Sequence, residues 1–125
     1  KVSFISQNWK KYPALIQDST LVTKIIDIEK TINGRAYYYI PKEKVLPFAG
    51  QIKTGDIILI TTKKKGLDTA HVGIAIENEG QIYLLHASVS DKKVSITTET
   101  LPDYLQRITS HSGIMIGRLI NFKSN

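Results

Sequence analysis

Apolar residues near the start of the chain follow the spacing of an amphipathic helix. Between Ser19 and Ile32 they recur every three or four residues, so one side of a helix would be apolar. Asn33 and Gly34 follow directly, and a glycine in the left-handed conformation is a common helix end. The pattern predicts a helix over residues 19–32 with Gly34 as its C′ residue.

The remainder of the chain alternates β-branched and aromatic segments with turn residues, which is typical of strands. The predicted strands cover residues 36–40, 56–62, 72–77, 81–87, 93–97 and 113–120. The run 56–62 is almost continuously apolar, as in a strand that is covered on both faces. A short helical turn is predicted over 43–46.

A second helix is predicted between the last two strands. Thr100 can cap it, Pro102 suits its first turn, and Asp103 supplies an acid three residues after the cap. This helix should end near Ile108. Helices combined with a largely antiparallel sheet predict the α+β fold class.

The segments 72–77 and 81–87 flank a turn and should form a hairpin. His71 precedes the first strand and His86 lies near the end of the second. The face that carries His71 also carries Gly73 and Ala75, whose small size leaves room for a helix N-terminus or a substrate. The opposite face carries three branched residues that we expect in the core, Val72, Ile74 and Ile76.

Two registers of this hairpin bring the histidine rings together. If Glu77 faces Gly80, the two histidines stand directly opposite each other, with Cβ atoms about 5 Å apart. If Asn78 faces Gln81, they are diagonal neighbours on one face, about 7–8 Å apart. A three-residue loop would place them on opposite faces.

A histidine pair of this kind fits the base and the orienting residue of a papain-like cysteine hydrolase, but such a site needs a thiolate. The chain contains no cysteine, begins at Lys1, and has Met115 as its single methionine. We therefore expect it to be the C-terminal part of a longer protein whose nucleophile lies upstream. In that scheme His71 exchanges the proton, and His86 fixes the orientation and tautomer of His71.

Two other interpretations of the histidines stay open at this point. Both can be ordinary half-buried histidines of a sheet. They can also form a metal site with Asp68 or His111, although the chain has no compact ligand motif. His111 itself, between serines, is predicted to lie in a surface loop.

The size, composition and charge of the chain limit the kinds of partner that it can bind. A chain of 125 residues with 42% hydrophobic and 22% charged residues has the size and composition of one globular domain, predicted over residues 1–125. No apolar run approaches the roughly 20 residues of a membrane span. The net charge of +6 suits an anionic partner. Because the basic residues are scattered and the run Lys63-Lys64-Lys65 resembles a solvated loop, nucleic acid is the least favoured partner.

Three segments in this order resemble the NlpC-type papain-like cysteine hydrolases of bacterial cell walls. They are Gly55-Asp56-Ile57-Ile58, Ala70-His71-Val72-Gly73-Ile74-Ala75 and Leu85-His86-Ala87-Ser88. Tyr39-Ile40-Pro41-Lys42 and Gly66-Leu67-Asp68-Thr69 are similar to one branch, the N-acetylmuramoyl-L-alanine amidase-like proteins. The resemblance covers most of the chain and implies a papain-like antiparallel sheet packed with helices, here as an incomplete domain.

The resemblance also implies a function. It implies a cysteine amidase that cleaves the bond between N-acetylmuramic acid and L-alanine in muropeptides or peptidoglycan fragments, in the bacterial periplasm or cell envelope. His71 matches the catalytic base and His86 the orienting residue, while no residue here matches the cysteine. No cofactor or metal is implied, and we expect Asp68, Thr69 and Tyr39 to line the substrate cleft. The alternative is a non-catalytic module that keeps the sheet and binds a muropeptide or another anionic ligand.

Overall fold

The computed structural model describes residues 1–120, which form two compact units. The first unit comprises Lys1–Tyr38 and Lys63–Asp68. The second comprises Tyr39–Thr62 and continues from Thr69 onward. The expectation of one domain over residues 1–125 stays a prediction.

The first unit is helical. Its elements are α1 (Phe4–Gln7), a 3₁₀ turn (Trp9–Lys11), α2 (Pro13–Gln17) and α3 (Thr20–Asn33). Helix α3 confirms the predicted amphipathic helix, and Glu29 on its inner side is buried and accepts a hydrogen bond from the Ser6 N–H at 3.2 Å. The lysines of the Lys63-Lys64-Lys65 run are exposed, as predicted.

The end of α3 differs from the prediction. Gly34 has φ −81°, which is right-handed, so the left-handed C′ assignment is wrong. The Gly34 N–H donates to the carbonyls of Lys30 and Thr31, and the helical path therefore continues through the glycine.

The second unit is a six-stranded sheet with short helices. Its elements are β1 (Ile40–Pro41), a 3₁₀ turn (Lys42–Lys44), α4 (Val45–Phe48), a 3₁₀ turn (Ala49–Gln51), β2 (Ile57–Thr62), β3 (Thr69–Asn78), β4 (Gln81–Ser88), β5 (Lys93–Ile96), α5 (Leu101–Arg107) and β6 (His111–Gly117). The strand order is β1-β6-β2-β3-β4-β5 and all neighbours are antiparallel. The predicted α+β fold with an antiparallel sheet and helices is confirmed.

Three predicted strands differ from the observed strands by three residues or more at one end. The strand predicted over 72–77 begins at Thr69 and therefore includes His71. The segment 36–40 contributes only Ile40 to a strand, because β1 pairs over just two residues and Pro41 has no N–H to extend the ladder. The last strand starts at His111 instead of residue 113 and ends at Gly117.

The core of the second unit lies on the face of the sheet that carries Gly73 and Ala75. Residues from β2, β3, β4 and β6 meet residues from α5 and the segment before β2 on this face. They are Ile58, Ile60, Ala75, Ile82, Leu84, Ile114, Leu101, Tyr104, Leu105, Val45 and Ile52. On the opposite face, Val72 and Ile74 are 52% and 42% exposed. The prediction that Val72, Ile74 and Ile76 face the core is therefore wrong for this hairpin.

The small residues on the His71 face are explained by packing within the core. A Cβ atom at Gly73 would lie 2.5 Å from Cδ1 of Leu84, so the glycine makes room for a fully buried leucine of the neighbouring strand. The space above Gly73 thus holds Leu84 rather than a substrate.

We expect Gly73→Ala to lower the free energy of unfolding by about 1–3 kcal/mol, because the added methyl overlaps Leu84 in a close-packed core. Gly50→Ala is the matched control, since a Cβ atom there meets nothing within 4 Å. Urea unfolding followed by circular dichroism measures both variants. Equal stability of the two would contradict the packing described for Gly73.

An ion pair with a buried carboxylate and a half-exposed guanidinium joins the residue before β2 to the residue that follows β6. The carboxylate of Asp56 accepts hydrogen bonds from Nε of Arg118 at 2.7 Å and from Nη2 at 2.6 Å. The Lys53 N–H donates to the same carboxylate at 2.8 Å. The hydrogen bonds from Arg118 lower the pKa of Asp56, and the carboxylate stays ionised although it is buried.

Arg118→Met is expected to destabilise the protein more than Asp56→Asn. It leaves a buried carboxylate unpaired, which costs about 3 kcal/mol, whereas the side chain of Arg118 is 46% exposed and water can solvate it. Because the pKa of Asp56 is lowered on folding, the contribution of the pair is present above pH 3.8 and disappears as the pH falls through the folded-state pKa. The difference in free energy of unfolding between the wild type and Arg118→Met, measured by chemical denaturation, should therefore decrease at acidic pH. If this difference stays the same at acidic pH, the ion pair is not its cause.

Candidate active site

The register of the β3–β4 hairpin places His71 and His86 on the same face of the sheet. Asn78 pairs with Gln81 and Ile74 with Leu85. This is the second of the two predicted registers, in which the histidines are diagonal neighbours. Diagonal neighbours on one face are within reach of each other when their side chains are long. The prediction of a hairpin with both histidines on one face is confirmed.

The two rings form a direct hydrogen bond. Nε2 of His71 lies 2.8 Å from Nδ1 of His86, and the ring planes meet at 89° with centroids 5.1 Å apart. When both rings are neutral, one nitrogen of the bond donates a proton and the other accepts it. Both side chains are half-buried, and so each is shielded but reachable.

Burial, followed by the nearby charge of His86, lowers the pKa of His71. The imidazole of His71 is therefore mainly neutral near pH 7, which is the state required of a general base. Within the described residues, no hydrogen bond occupies Nδ1 of His71. This nitrogen is available for a proton from another group.

The structure adds two aromatic residues to the histidine pair. The ring of Tyr104 on α5 meets His86 edge to face, with centroids 5.6 Å apart and planes at 76°. The ring of His111 lies 5.7 Å from Tyr104 on another side. Tyr104 was not among the predicted site residues, although the helical spacing of Leu101, Tyr104 and Leu105 indicates a buried face.

The prediction that His111 is a surface loop residue is wrong. His111 is the first residue of β6 and is only 6% exposed, because the strand starts two residues earlier than its apolar pattern indicated. Its Nδ1 is buried without a hydrogen-bond partner among the residues described. Burial is the main cause that lowers the pKa of His111, which is therefore mainly neutral near pH 7.

A polar cavity of about 480 Å³ lies beside these rings. Its lining includes His71, His86 and His111 together with Arg107 and Glu99. Nε of Arg107 donates to Oε1 and Oε2 of Glu99 at 2.9 and 3.2 Å. The hydroxyls of Ser88, Ser90, Ser95, Thr97 and Thr98 contribute further lining. A polar substrate can be held here by hydrogen bonds next to the histidine pair.

The three residues expected to bind substrate lie at the start of β3 or just before β3 and β1. Thr69 is the first residue of β3, and Tyr39 lies just before β1 and is 53% exposed. Asp68 belongs to the first unit. The cavity beside the histidines is lined by neither Thr69 nor Tyr39, and the binding roles of all three stay predictions.

Two further findings concern the described residues alone. Among residues 1–120, no group of three or more His, Cys, Asp or Glu side chains has the arrangement of a metal site. No helix in that range is long and apolar enough to cross a membrane.

An antiparallel sheet with a hydrogen-bonded histidine pair beside a polar cavity is an arrangement that suits a hydrolase. The chain matches a family model over residues 2–114 and belongs to the AmiA-like family, described as N-acetylmuramoyl-L-alanine amidase-like.

Solved structures support this assignment. The chain is 38% identical to an N-acetylmuramoyl-L-alanine amidase from Bacteroides uniformis, with a TM-score of 0.83 over 92% of this chain and 49% of that one. It is 37% identical to a protein from Bacteroides fragilis named a "putative xylanase", also with a TM-score of 0.83, over 92% of this chain and 50% of that one. The chain thus spans about half the length of these proteins. Among curated proteins, none matches it significantly.

Acidification should weaken the fold partly through His71 and His111. Because both pKa values are lowered in the folded protein, the unfolded chain binds more protons below about pH 6.5, and the free energy of unfolding falls as the pH decreases through that range. His111→Leu removes one of these groups, so its stability should change less between neutral and mildly acidic pH than that of the wild type. Urea denaturation across this range measures both slopes. Identical slopes would show that His111 is not held neutral by the fold.

Proposed function

We propose that this chain is the histidine-bearing part of a cysteine-dependent N-acetylmuramoyl-L-alanine amidase with the NlpC-type papain-like mechanism. The hydrogen bond of 2.8 Å between Nε2 of His71 and Nδ1 of His86 carries the proposal. Membership of the amidase-like family gives the reaction class. The cysteine is assigned to upstream sequence of the complete protein, in keeping with relatives about twice the length of this chain.

The hydrogen bond assigns the nitrogens of His71 to different tasks. If His71 accepts a thiol proton at Nδ1, its Nε2 carries the other proton and donates to His86. His86 then accepts at Nδ1 and holds the base in the required tautomer. The resulting imidazolium of His71 keeps this hydrogen bond, so His86 stabilises both protonation states of the base.

The reaction follows from these positions. The thiolate attacks the lactyl carbonyl carbon of the muramic acid, and backbone N–H groups near the nucleophile stabilise the oxyanion. As the tetrahedral intermediate collapses, His71 gives its Nδ1 proton to the amine of L-alanine, which leaves with its peptide. A thioester remains. Water, deprotonated by His71, hydrolyses it to release the muramic carboxylate and the thiol.

The cavity beside the pair is the proposed cleft for the muropeptide. Its hydroxyl and charged groups suit a substrate with sugar hydroxyls, amides and carboxylates. Asp68, Thr69 and Tyr39 are proposed as further contacts. This chemistry requires no cofactor or metal, nucleic acid is not a proposed partner, and the substrate class places the protein in the bacterial periplasm or cell envelope.

Glycoside hydrolysis, which the name of the Bacteroides fragilis relative indicates, is less well supported here. Such enzymes commonly use two carboxyl groups on either side of the scissile bond. The cavity offers Asp91 and Glu99, but the carboxylate of Glu99 is bound to Arg107. The histidine pair would have no part in that reaction.

The test uses the complete parent protein and a muramoyl-peptide substrate. His71→Ala should lower the rate of release of the L-alanyl peptide by about 10²–10⁴-fold, the usual contribution of a general acid–base residue. Val72→Ala is the matched control, because this neighbour on β3 points to the opposite face and is 52% exposed. Alkylation of thiols in the parent should also abolish activity.

Circular dichroism confirms that each variant is folded. Full activity of folded His71→Ala would contradict the catalytic role. Undiminished activity after complete alkylation would contradict the cysteine mechanism. A parent that binds muropeptides without hydrolysing them would establish the non-catalytic binding module instead.

A further inference from the structure

The ring of His86 is held on two sides by different kinds of contact. Nδ1 of His86 is hydrogen-bonded to His71 at 2.8 Å. Tyr104 meets the same ring edge to face at a centroid distance of 5.6 Å. A single hydrogen bond leaves a ring free to tilt about the bond axis, whereas an added aromatic contact restricts this tilt, since edge-to-face pairs have a preferred geometry.

Tyr104 is itself tightly fixed. Its helix α5 is capped by Thr100, whose hydroxyl accepts from the Asp103 N–H at 3.4 Å, and is anchored by the fully buried Leu101 and Leu105. Tyr104 is 9% exposed, so its ring has little room to move.

Two more contacts hold the ring of Tyr104. The guanidinium of Arg107 lies 5.3 Å from its centroid and is kept there by hydrogen bonds that its Nε and Nη2 donate to the carboxylate of Glu99. The ring of His111 lies 5.7 Å away at an angle of 36°. The side chain that touches His86 is therefore part of a rigid arrangement built from α5 and β6.

Ring orientation matters at His86 because a tilt of its ring moves Nδ1 out of hydrogen-bond reach of Nε2 of His71. The hydrogen bond that restricts the tautomer of His71 is then lost. In a strand with half-buried side chains, packing by neighbours decides between such orientations.

We propose that Tyr104 is a positioning residue for the histidine pair: its ring selects the orientation of His86 in which Nδ1 meets Nε2 of His71, and His111 supports Tyr104 from another side. The catalytic consequence rests on the proposed amidase function, while the effect on the rings does not. Burial lowers the pKa of His111, so the ring that supports Tyr104 is mainly neutral near pH 7.

The first measurement is independent of activity. Long-range ¹H–¹⁵N correlation spectra of the complete parent protein, labelled in histidine, report the tautomers of His71 and His86. In the wild type and in Tyr104→Phe, which keeps the ring, His71 should be mainly a single tautomer near neutral pH, set by its hydrogen bond with His86. In Tyr104→Leu, which removes the ring, His71 should become a mixture of tautomers.

The second measurement is the rate of muramoyl-peptide hydrolysis by the same proteins. Tyr104→Leu should lower kcat by about 100-fold with little change in KM, because the base is misoriented by a small displacement. Tyr104→Phe should stay within about threefold of the wild type, since the ring rather than the hydroxyl acts. Tyr83→Leu is the matched control, as Tyr83 lies on the same strand but pairs with Ile76 on the other face.

Wild-type tautomers in folded Tyr104→Leu would overturn the proposal. So would an equal loss of kcat in Tyr104→Phe, which would make the hydroxyl the acting group. If Tyr104→Leu does not fold, Tyr104→Met, which fills the space with a flexible apolar chain, provides the same comparison. A parent without amidase activity would refute the proposed function, and the tautomer spectra would still decide the role of Tyr104.

Discussion

The two-residue turn at Glu79 and Gly80 fixes the register of β3 against β4. Both residues have positive φ, 51° and 78°, as a tight hairpin turn of the primed type requires. A slip of one residue between the strands would send His86 to the opposite face of the sheet and away from His71. Packing of Leu84 over Gly73 supports the same register, because a slip of one residue would turn Leu84 to the opposite face of the sheet.

The core and the candidate site share one face of the sheet. Leu101 and Leu105 of helix α5 pack in the core. Tyr104, on the same buried side of this helix, contacts His86. Helix α5 therefore contributes both to the core of the second unit and to the surroundings of the histidine pair. Changes in the packing of α5 should act on chemistry through His86 as well as on stability.

The residues that resemble one family have different physical tasks. In the Gly-Asp segment, Asp56 binds Arg118 and joins two strands, so this part is structural. In the His-Val-Gly segment, His71 is the proposed base and is hydrogen-bonded to His86, while Gly73 leaves space for Leu84. A recognisable sequence pattern therefore contains both scaffold and chemistry, and only the contacts distinguish them.

Local patterns in the sequence determined the elements and the histidine pair. Helical spacing located α3, and turn residues located the β3–β4 hairpin. Because side chains alternate between the faces of a strand, only two of the registers considered placed His71 and His86 on one face. Which face of β3 is buried was decided by the helices that cover the sheet, since alternation marks two faces but not their partners. The positions of Tyr104 and His111 followed only from tertiary structure, because Tyr104 contacts His86 and His111 contacts Tyr104. These contacts join α5 and β6 to β4, elements that are distant in sequence.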